Sequence, residues 1–222
     1  IYYFLKDKIK KRFLFIDKYE TPKTNLKKNT NEINLVVSKS GNTLETVSNV
    51  NILLNKQTKN IFITENKKSY LSSLAHELKA EIIEHKNYIG GRYSVLSEVG
   101  IMPSYLMGVN TIKLRGNLNK YFVENEKLFL KKSCIALSEI IKKKRFKNLI
   151  FLNYSPRLEK FLFWCQQLIA ESLGKKGKGL FPVISNAPKD HHSLLQLYID
   201  GPKDKIFYIF LKLYLEYSFF SL

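Results

Sequence analysis

Short apolar runs alternate with longer stretches of helical spacing along the first half of the chain. The runs 33–37, 60–64 and 80–83 are rich in isoleucine and other apolar residues and predict buried strands. The first two runs are followed by segments, 43–54 and 69–78, whose apolar residues recur at helical intervals. Strands that alternate with helices are typical of α/β folds with parallel sheets, which we predict here.

The second half shows the same alternation after a long helical pattern at 119–144. Predicted strands lie at 149–152, 181–184 and 206–210, and predicted helices lie at 156–172 and 192–198. The apolar stretch 101–109 between the halves is predicted to be a buried connector. We therefore predict two α/β domains, with bounds 1–110 and 111–222.

The two ends of the chain are less regular than its middle. Residues 1–5 are strand-like, and residues 13–16 form a short apolar run. Lys212 and Glu216 interrupt the apolar run 207–222, which is shorter than the stretch of about 20 residues that a spanning helix needs. We therefore expect no membrane partner.

The net charge of +18 raises the question of a nucleic-acid partner. The lysines are spread along the chain, with short clusters only at 8–12 and 142–147, and no zinc-finger spacing or RNA-binding aromatic string accompanies them. Abundant Lys, Asn, Ile, Phe and Tyr are what an A/T-rich coding sequence produces. We favour this compositional origin and expect no nucleic-acid partner, although the basic field would attract a small anion.

The two cysteines, Cys134 and Cys165, lie in predicted helices among apolar residues. This placement predicts reduced core thiols, as in cytosolic proteins, and neither a disulfide framework nor a metal site. No signal peptide is visible, and we expect a cytoplasmic protein.

The block 38–46, Ser-Lys-Ser-Gly-Asn-Thr-Leu-Glu-Thr, follows a predicted strand and leads into a predicted helix. Unpaired N–H groups at a helix N-terminus bind phosphate, and Gly41 would allow a ligand to approach the backbone. Hydroxyls at Ser38, Ser40 and Thr43 and the charge of Lys39 would add to such a site. The residues alone fit an ordinary Ser/Thr-rich helix cap equally well.

The block 89–100 begins with two glycines, Gly90 and Gly91, which would permit a tight turn and close ligand approach. Arg92 follows at once and places a permanent cation on that turn, where it could stabilise an oxyanion formed during a reaction. A glycine turn with a surface arginine is the simpler interpretation of these residues alone.

Two further segments carry groups that could transfer protons. Glu171 ends an apolar helical run beside small residues, and partial burial would raise the pKa of its carboxyl group toward a useful range; a solvated glutamate is the simpler alternative. Gln167 lies one turn earlier on the same face. His191 and His192 open another helix; histidine titrates near neutrality, and no third ligand is spaced to make them a metal site.

In this order the four blocks resemble the glucose-6-phosphate isomerase family, over about residues 33–205. The resemblance implies two sugar-isomerase (SIS) three-layer domains. It implies reversible isomerisation of glucose 6-phosphate and fructose 6-phosphate through an enediolate, in glycolysis and gluconeogenesis, without cofactor or metal. It also implies a homodimer in which His192 reaches the partner's active site.

The same resemblance assigns roles residue by residue. The phosphate-binding loop is matched by Ser38, Lys39, Ser40 and Thr43. Glu171 matches the catalytic base, Arg92 the cation that stabilises the enediolate, Gln167 a position near the substrate and His192 the acid/base for ring opening. His191 stands where many members of the family have glutamine, and His76 and His85 are interpreted as ordinary surface or core histidines.

The chain also departs from the family pattern. Glu98 stands where a small residue is usual, and it could weaken or redirect the charge of Arg92 unless it faces away. The N-terminal region and a C-terminal Gln-x-Gly-Val-Glu-x-x-Lys segment are not found, so the lysine for ring opening cannot be assigned. We therefore expect an internal fragment with two incomplete domains, inactive by itself. The alternative function is a SIS-type module that binds a phosphosugar without catalysis.

Overall fold

The computed structural model describes residues 2–19, 32–116 and 118–211. The chain divides into two compact units, one formed by Asp7–Leu114 and the other by Ile1–Lys6 together with Arg115–Leu222. Each unit contains one three-stranded parallel sheet among the described residues. The predicted α/β fold with parallel strands is therefore confirmed.

The described elements follow one another as helices and strands in alternation. The strands are β1 (Ile33–Val37), β2 (Lys59–Thr64), β3 (Glu81–Glu84), β4 (Asn148–Asn153), β5 (Phe181–Asn186) and β6 (Lys205–Phe210). The helices are α1 (Tyr2–Leu5), α2 (Leu44–Leu53), α3 (Tyr70–Glu77), α4 (Glu98–Leu106), α5 (Thr111–Gly116), α6 (Glu124–Lys144), α7 (Glu159–Leu173) and α8 (His191–Ile199). Short 3-10 helices occupy Lys6–Lys8, Gly91–Leu96, Asn119–Phe122 and Pro156–Leu158.

The sheet of the first unit has the order β1-β2-β3, and β2 is its most buried strand. Phe62 is fully buried and packs with Val36 of β1, Val50 of α2, and Leu71 and Ala75 of α3. The parallel order brings the carboxyl ends of all three strands to one edge of the sheet. The residues that follow these strands therefore meet at that edge.

The sheet of the second unit has the order β5-β4-β6. Leu162 of α7 packs on Leu149 and Phe151 of the central strand β4, with Leu162 fully buried. The helix α7 connects two parallel neighbours, β4 and β5, and therefore runs back in the direction opposite to both strands. The start of α8 follows β5 at the carboxyl edge of this sheet.

The structure corrects several expectations about local structure. The prediction of a strand-like start is wrong, because Tyr2–Leu5 form α1, and residues 13–16 have no regular structure. The stretch 101–109 is a half-buried helix end rather than a buried connector. Cys134 is exposed and so is not a core thiol, whereas Cys165 is half-buried, which raises the pKa of its thiol.

The predicted strand and helix positions from 33 to 84 agree with the structure to within one or two residues. From residue 212 onward, the final apolar run 207–222 lies outside the described residues. Among the residues that are described, no helix is both long and apolar enough to cross a bilayer.

Candidate active site

Three hydroxyls converge where β1 ends and α2 begins. Ser38 is buried, and its Oγ lies 2.8 Å from Oγ1 of Thr43, while Oγ of Ser40 lies 3.4 Å from the same atom. Thr43 precedes the first residue of α2, and its side chain makes no capping hydrogen bond to that helix. The hydroxyls therefore face one another at a helix N-terminus that no N-cap side chain covers, which is the setting that suits an anion.

Gly41 shapes this loop in the way its sequence position predicts. Its φ of +69° lies in the left-handed region that favours glycine. A Cβ atom at this position would collide with the side chain of Ser69, the N-cap residue of α3. The amide of Leu71 donates to the carbonyl of Gly41 at 3.0 Å, so the loop is held against the start of α3.

Lys39 connects this loop to the segment before the double glycine. Its Nζ donates to the carbonyl oxygens of Asn87 at 2.9 Å and Ile89 at 2.8 Å, and it lies 3.5 Å from a carboxylate oxygen of Glu65. Glu65 is buried and also pairs with Lys67, whose hydrogen bond and charge, together with Lys39, lower the pKa of the Glu65 carboxyl group. Two of the four predicted blocks are thus brought together at the carboxyl edge of the first sheet.

The double glycine opens a tight turn, in which the amide of Tyr93 donates to the carbonyl of Gly90 at 2.9 Å and the 3-10 helix Gly91–Leu96 begins. Gly90 has φ −66° and ψ 145°, and neither Gly90 nor Gly91 has a positive φ. A Cβ atom at Gly91 would meet no described heavy atom within 4 Å, so space is open there. The guanidinium of Arg92 lies over the ring of Tyr93, with Cζ 4.7 Å from the ring centroid.

Glu98 contacts a histidine at the end of β3. Its Oε1 is paired with Nδ1 of His85, and the His85 side chain is completely buried at the end of β3. Of the two histidines interpreted as ordinary surface or core residues, His85 is buried and His76 is exposed. The contact between His85 and Glu98 carries no signal in the sequence, because thirteen residues separate the two side chains.

The last turns of α7 bear the predicted base. Nε2 of Gln167 donates to Oε1 of Glu171 at 2.9 Å, so the two predicted residues are in direct contact. Glu171 is exposed, which corrects the expectation of partial burial. The helix ends at Gly174, where a Cβ atom would come too close to the carbonyl of Ala170.

The two histidines at the start of α8 have different environments. Nε2 of His191 lies 3.1 Å from the hydroxyl of Tyr154, which follows β4, and the two rings meet edge to face. His192 is exposed, and within the described part of the chain its ring has no hydrogen-bond partner. No group of three His, Cys, Asp or Glu residues suited to a metal ion occurs among the described residues.

The chain is an α/β protein whose four blocks resemble those of sugar-phosphate isomerases, and comparison with known proteins agrees with that resemblance. The sequence model of the phosphoglucose isomerase family matches residues 16–181. The chain therefore belongs to the phosphoglucose isomerase family, which confirms the resemblance stated above.

Individual relatives support this membership. The chain is 36% identical to a glucose-6-phosphate isomerase of Methanocaldococcus jannaschii over 207 residues, which are 86% of this chain and 51% of that protein. It is 31% identical to the glucose-6-phosphate isomerase of Rubrobacter xylanophilus over 185 residues, 77% of this chain and 43% of that protein. The chain spans about half the length of the curated relatives it matches.

A solved structure has the same fold over most of the described chain. This is the crystal structure of a hypothetical protein from Thermus thermophilus, with a TM-score of 0.65 and 27% identity. The similarity covers 79% of this chain and 46% of that one.

Proposed function

We propose that this chain carries the phosphate site and the proton-transfer groups of an aldose–ketose isomerase that interconverts glucose 6-phosphate and fructose 6-phosphate. The observation that carries the proposal is the linkage of two blocks at one sheet edge. The hydroxyl loop of Ser38, Ser40 and Thr43 is tied through Lys39 to the segment that leads to Arg92. A phosphate site and a cation for a developing oxyanion would thus be held in one rigid unit.

In this proposal the phosphate binds at the N-terminus of α2. The hydroxyls of Ser40 and Thr43 and the free amides of the first helical turn would donate to its oxygens. Ser38 is buried and would hold Thr43 in place. Lys39 supplies positive charge near the loop, while its ammonium is hydrogen-bonded to two carbonyls.

The chemical step moves one proton between neighbouring carbons. Glu171 would take the proton from C2 of the open-chain aldose, leaving an enediolate, and would return it to C1; the proton of the C2 hydroxyl would pass to the C1 oxygen, which gives the ketose. Arg92 would stabilise the negative charge that develops on the oxygens of the enediolate. Gln167, which donates to the Glu171 carboxylate, would orient the base and lie near the sugar. Side chains supply every acid and base, so the proposed reaction uses neither cofactor nor metal.

The positions of Glu171 and His192 in the second unit support a homodimer. The carboxylate of Glu159, at the start of α7, accepts a hydrogen bond from the side chain of Asn186 at the carboxyl end of β5. Further along α7, the side chain of Gln166 donates to the carbonyl of Pro182, near the amino end of β5. Glu171 lies beyond Gln166, whereas His192 follows the carboxyl end of β5. A six-residue strand spans about 20 Å, so one sugar could not touch both residues of one chain.

We therefore propose that His192 acts in the partner's active site, where it would open the sugar ring by transferring the ring-oxygen proton. We also propose that the two compact units correspond to two SIS-type domains, with bounds near 1–110 and 111–222. A cytoplasmic location would suit a glycolytic role for such an enzyme.

The test is turnover and proton exchange by the full-length protein. We expect it to convert glucose 6-phosphate to fructose 6-phosphate and to exchange the substrate's C2 proton with solvent, both measured by proton NMR in D2O. Binding of the sugar phosphate with neither conversion nor exchange would refute the enzyme and favour a phosphosugar-binding module.

A further inference from the structure

One buried imidazole contacts both ends of the segment that carries Arg92. Nδ1 of His85 is paired with Oε1 of Glu98, in the first turn of α4. Nε2 of His85 lies 3.1 Å from the carbonyl oxygen of Ile89, directly before the double glycine. The ten residues between these two contacts, 89–98, include Arg92 and the 3-10 helix around it.

Hydrogen-bond chemistry fixes the orientation of this ring. A carbonyl oxygen can only accept, so Nε2 of His85 carries a hydrogen directed at Ile89. Nδ1, on the other side of the ring, faces the carboxylate of Glu98. Because the His85 side chain is fully buried, rotating the ring would break both contacts and leave its ring nitrogens buried without partners, which is costly.

The carbonyl of Ile89 is also the point where the phosphate loop is attached. It accepts from Nζ of Lys39 at 2.8 Å in addition to its contact with His85. A carbonyl oxygen has two lone pairs and can take both donors. The start of the segment is therefore held from the sheet by His85 and from the phosphate loop by Lys39.

Additional contacts keep the segment compact between its two ends. The buried Ser94 donates from Oγ to the carbonyl of Gly91 at 2.6 Å, and Ser97 donates to the carbonyl of Ser94 at 2.8 Å. A Cβ atom on Gly100 would collide with the carbonyl of Val95, so α4 packs closely on the preceding 3-10 helix. With such internal rigidity, fixing residues 89 and 98 fixes the backbone of Arg92.

We propose that His85 and Glu98 are a positioning pair, a clamp that fixes residues 89–98 and so sets the place of Arg92. The catalytic part of this proposal rests on the proposed function, in which Arg92 stabilises the enediolate. Neither member of the pair would touch the substrate. The clamp matters because misplacing a preorganised group by about 1 Å can cost about 10²-fold in rate.

Kinetics of the full-length protein separates positioning from general stability. Opening the clamp with His85→Ala should lower kcat by about 10²-fold, with KM changed far less, since Arg92 acts on charge that appears only in the transition state. His76→Ala, an exposed histidine of the same unit, should leave both constants unchanged. Leu71→Ala removes a buried core side chain and should lower the melting temperature without this split between kcat and KM.

A double variant with Arg92 tests the mechanism of the effect. If His85 acts through Arg92, adding His85→Ala to Arg92→Ala should cost little more in kcat than Arg92→Ala alone. Losses that multiply in full would overturn the proposal. Glu98→Ala opens the other end of the clamp and leaves the buried ring in place, so it gives the same test should His85→Ala fail to fold.

Hydrogen exchange provides a measurement that needs no turnover. Amides of residues 89–98 should exchange faster in His85→Ala and in Glu98→Ala than in His76→Ala, when followed by mass spectrometry. Unchanged exchange in this segment would refute the clamp. If the parent protein does not isomerise the sugar phosphate, the proposed function is refuted. Faster exchange of residues 89–98 in the two clamp variants would still support the clamp in that case.

Discussion

The ammonium of Lys39 donates a 2.8 Å hydrogen bond to the carbonyl oxygen of Ile89, fifty residues further along the chain. This bond joins the loop after β1 to the segment after β3, and therefore the proposed phosphate site to the proposed oxyanion site. The ammonium of Lys39 also donates to the carbonyl of Asn87, so the side chain serves as a crosslink as well as a source of charge.

Replacing this crosslink should affect both binding and chemistry. Lys39→Met keeps most of the aliphatic stem and removes the three donors of the ammonium. We expect KM for the sugar phosphate to rise, because positive charge is lost, and kcat to fall, because the Arg92 segment loses one support. Lys68→Met, at an exposed lysine of the same unit, is the control. A change confined to KM would show that Lys39 contributes charge alone.

Removing two hydroxyls of the phosphate loop should weaken binding more than chemistry. In Ser40→Ala/Thr43→Ala, the phosphate loses donors that it would use equally in the ground state and the transition state. KM should therefore rise more than kcat falls. Ser73→Ala, at an exposed position of α3, is the matched control. An unchanged KM for the sugar phosphate would contradict binding at this loop.

Glu171→Gln keeps the size of the side chain and removes the base. Loss of a positioned general base should lower kcat by about 10²–10⁴-fold. Exchange of the C2 proton with solvent should disappear together with turnover, and proton NMR in D2O measures both. Glu139→Gln, on the exposed surface of α6, should behave like the parent. Proton exchange at the parent rate in the Glu171 variant would mean that another group is the base.

The two neighbouring histidines should differ in function as they differ in environment. His192→Gln should slow turnover of ring-closed glucose 6-phosphate by about 10²-fold or more, because the proton donor for ring opening is lost. His191→Gln breaks the contact with the Tyr154 hydroxyl and should lower the melting temperature while changing kcat little. The reverse pattern, with kcat lost only in the His191 variant, would transfer the ring-opening role to His191.

The sequence predicts the strands of the first unit well because their signals are local. The run 33–37 is apolar and ends at a Ser/Thr loop, so both the strand β1 and the helix α2 follow from neighbouring residues. The same reasoning fails for residues 1–5, since a short apolar run fits a helix as well as a strand. The prediction that Cys134 is a core thiol is wrong for a related reason, because helical spacing does not show which face of α6 is covered.

The sequence predicts only those features of the candidate site that depend on residues adjacent in the chain. Gly41 adopts its left-handed conformation because of the loop in which it lies, and the sequence predicts that loop between a strand and a helix. The contact of Lys39 with Ile89, and the contacts of His85 with Ile89 and Glu98, depend on which strands become neighbours. Such tertiary contacts between distant segments leave no periodic or spacing signal.

Glu65 gives the first unit a defined sensitivity to acid. The hydrogen bond and charge of Lys67, with a smaller effect of Lys39, lower the pKa of the Glu65 carboxyl group below its ordinary value of 4.5. The unfolded chain therefore binds this proton more readily than the folded one. The stabilising contribution is complete above pH 4.5 and is lost as the pH falls through the lower folded value.

Glu65→Gln should remove this contribution at all pH values. We expect a lower free energy of unfolding at about pH 7 and a shallower decline from there to about pH 3.5, measured by urea unfolding. Glu77→Gln is the matched control, because its ion pair with Lys56 is more than two-thirds exposed on both sides and contributes little. A Glu65 variant whose acid sensitivity equals that of the parent would show that other carboxyl groups govern the unfolding of this unit at low pH.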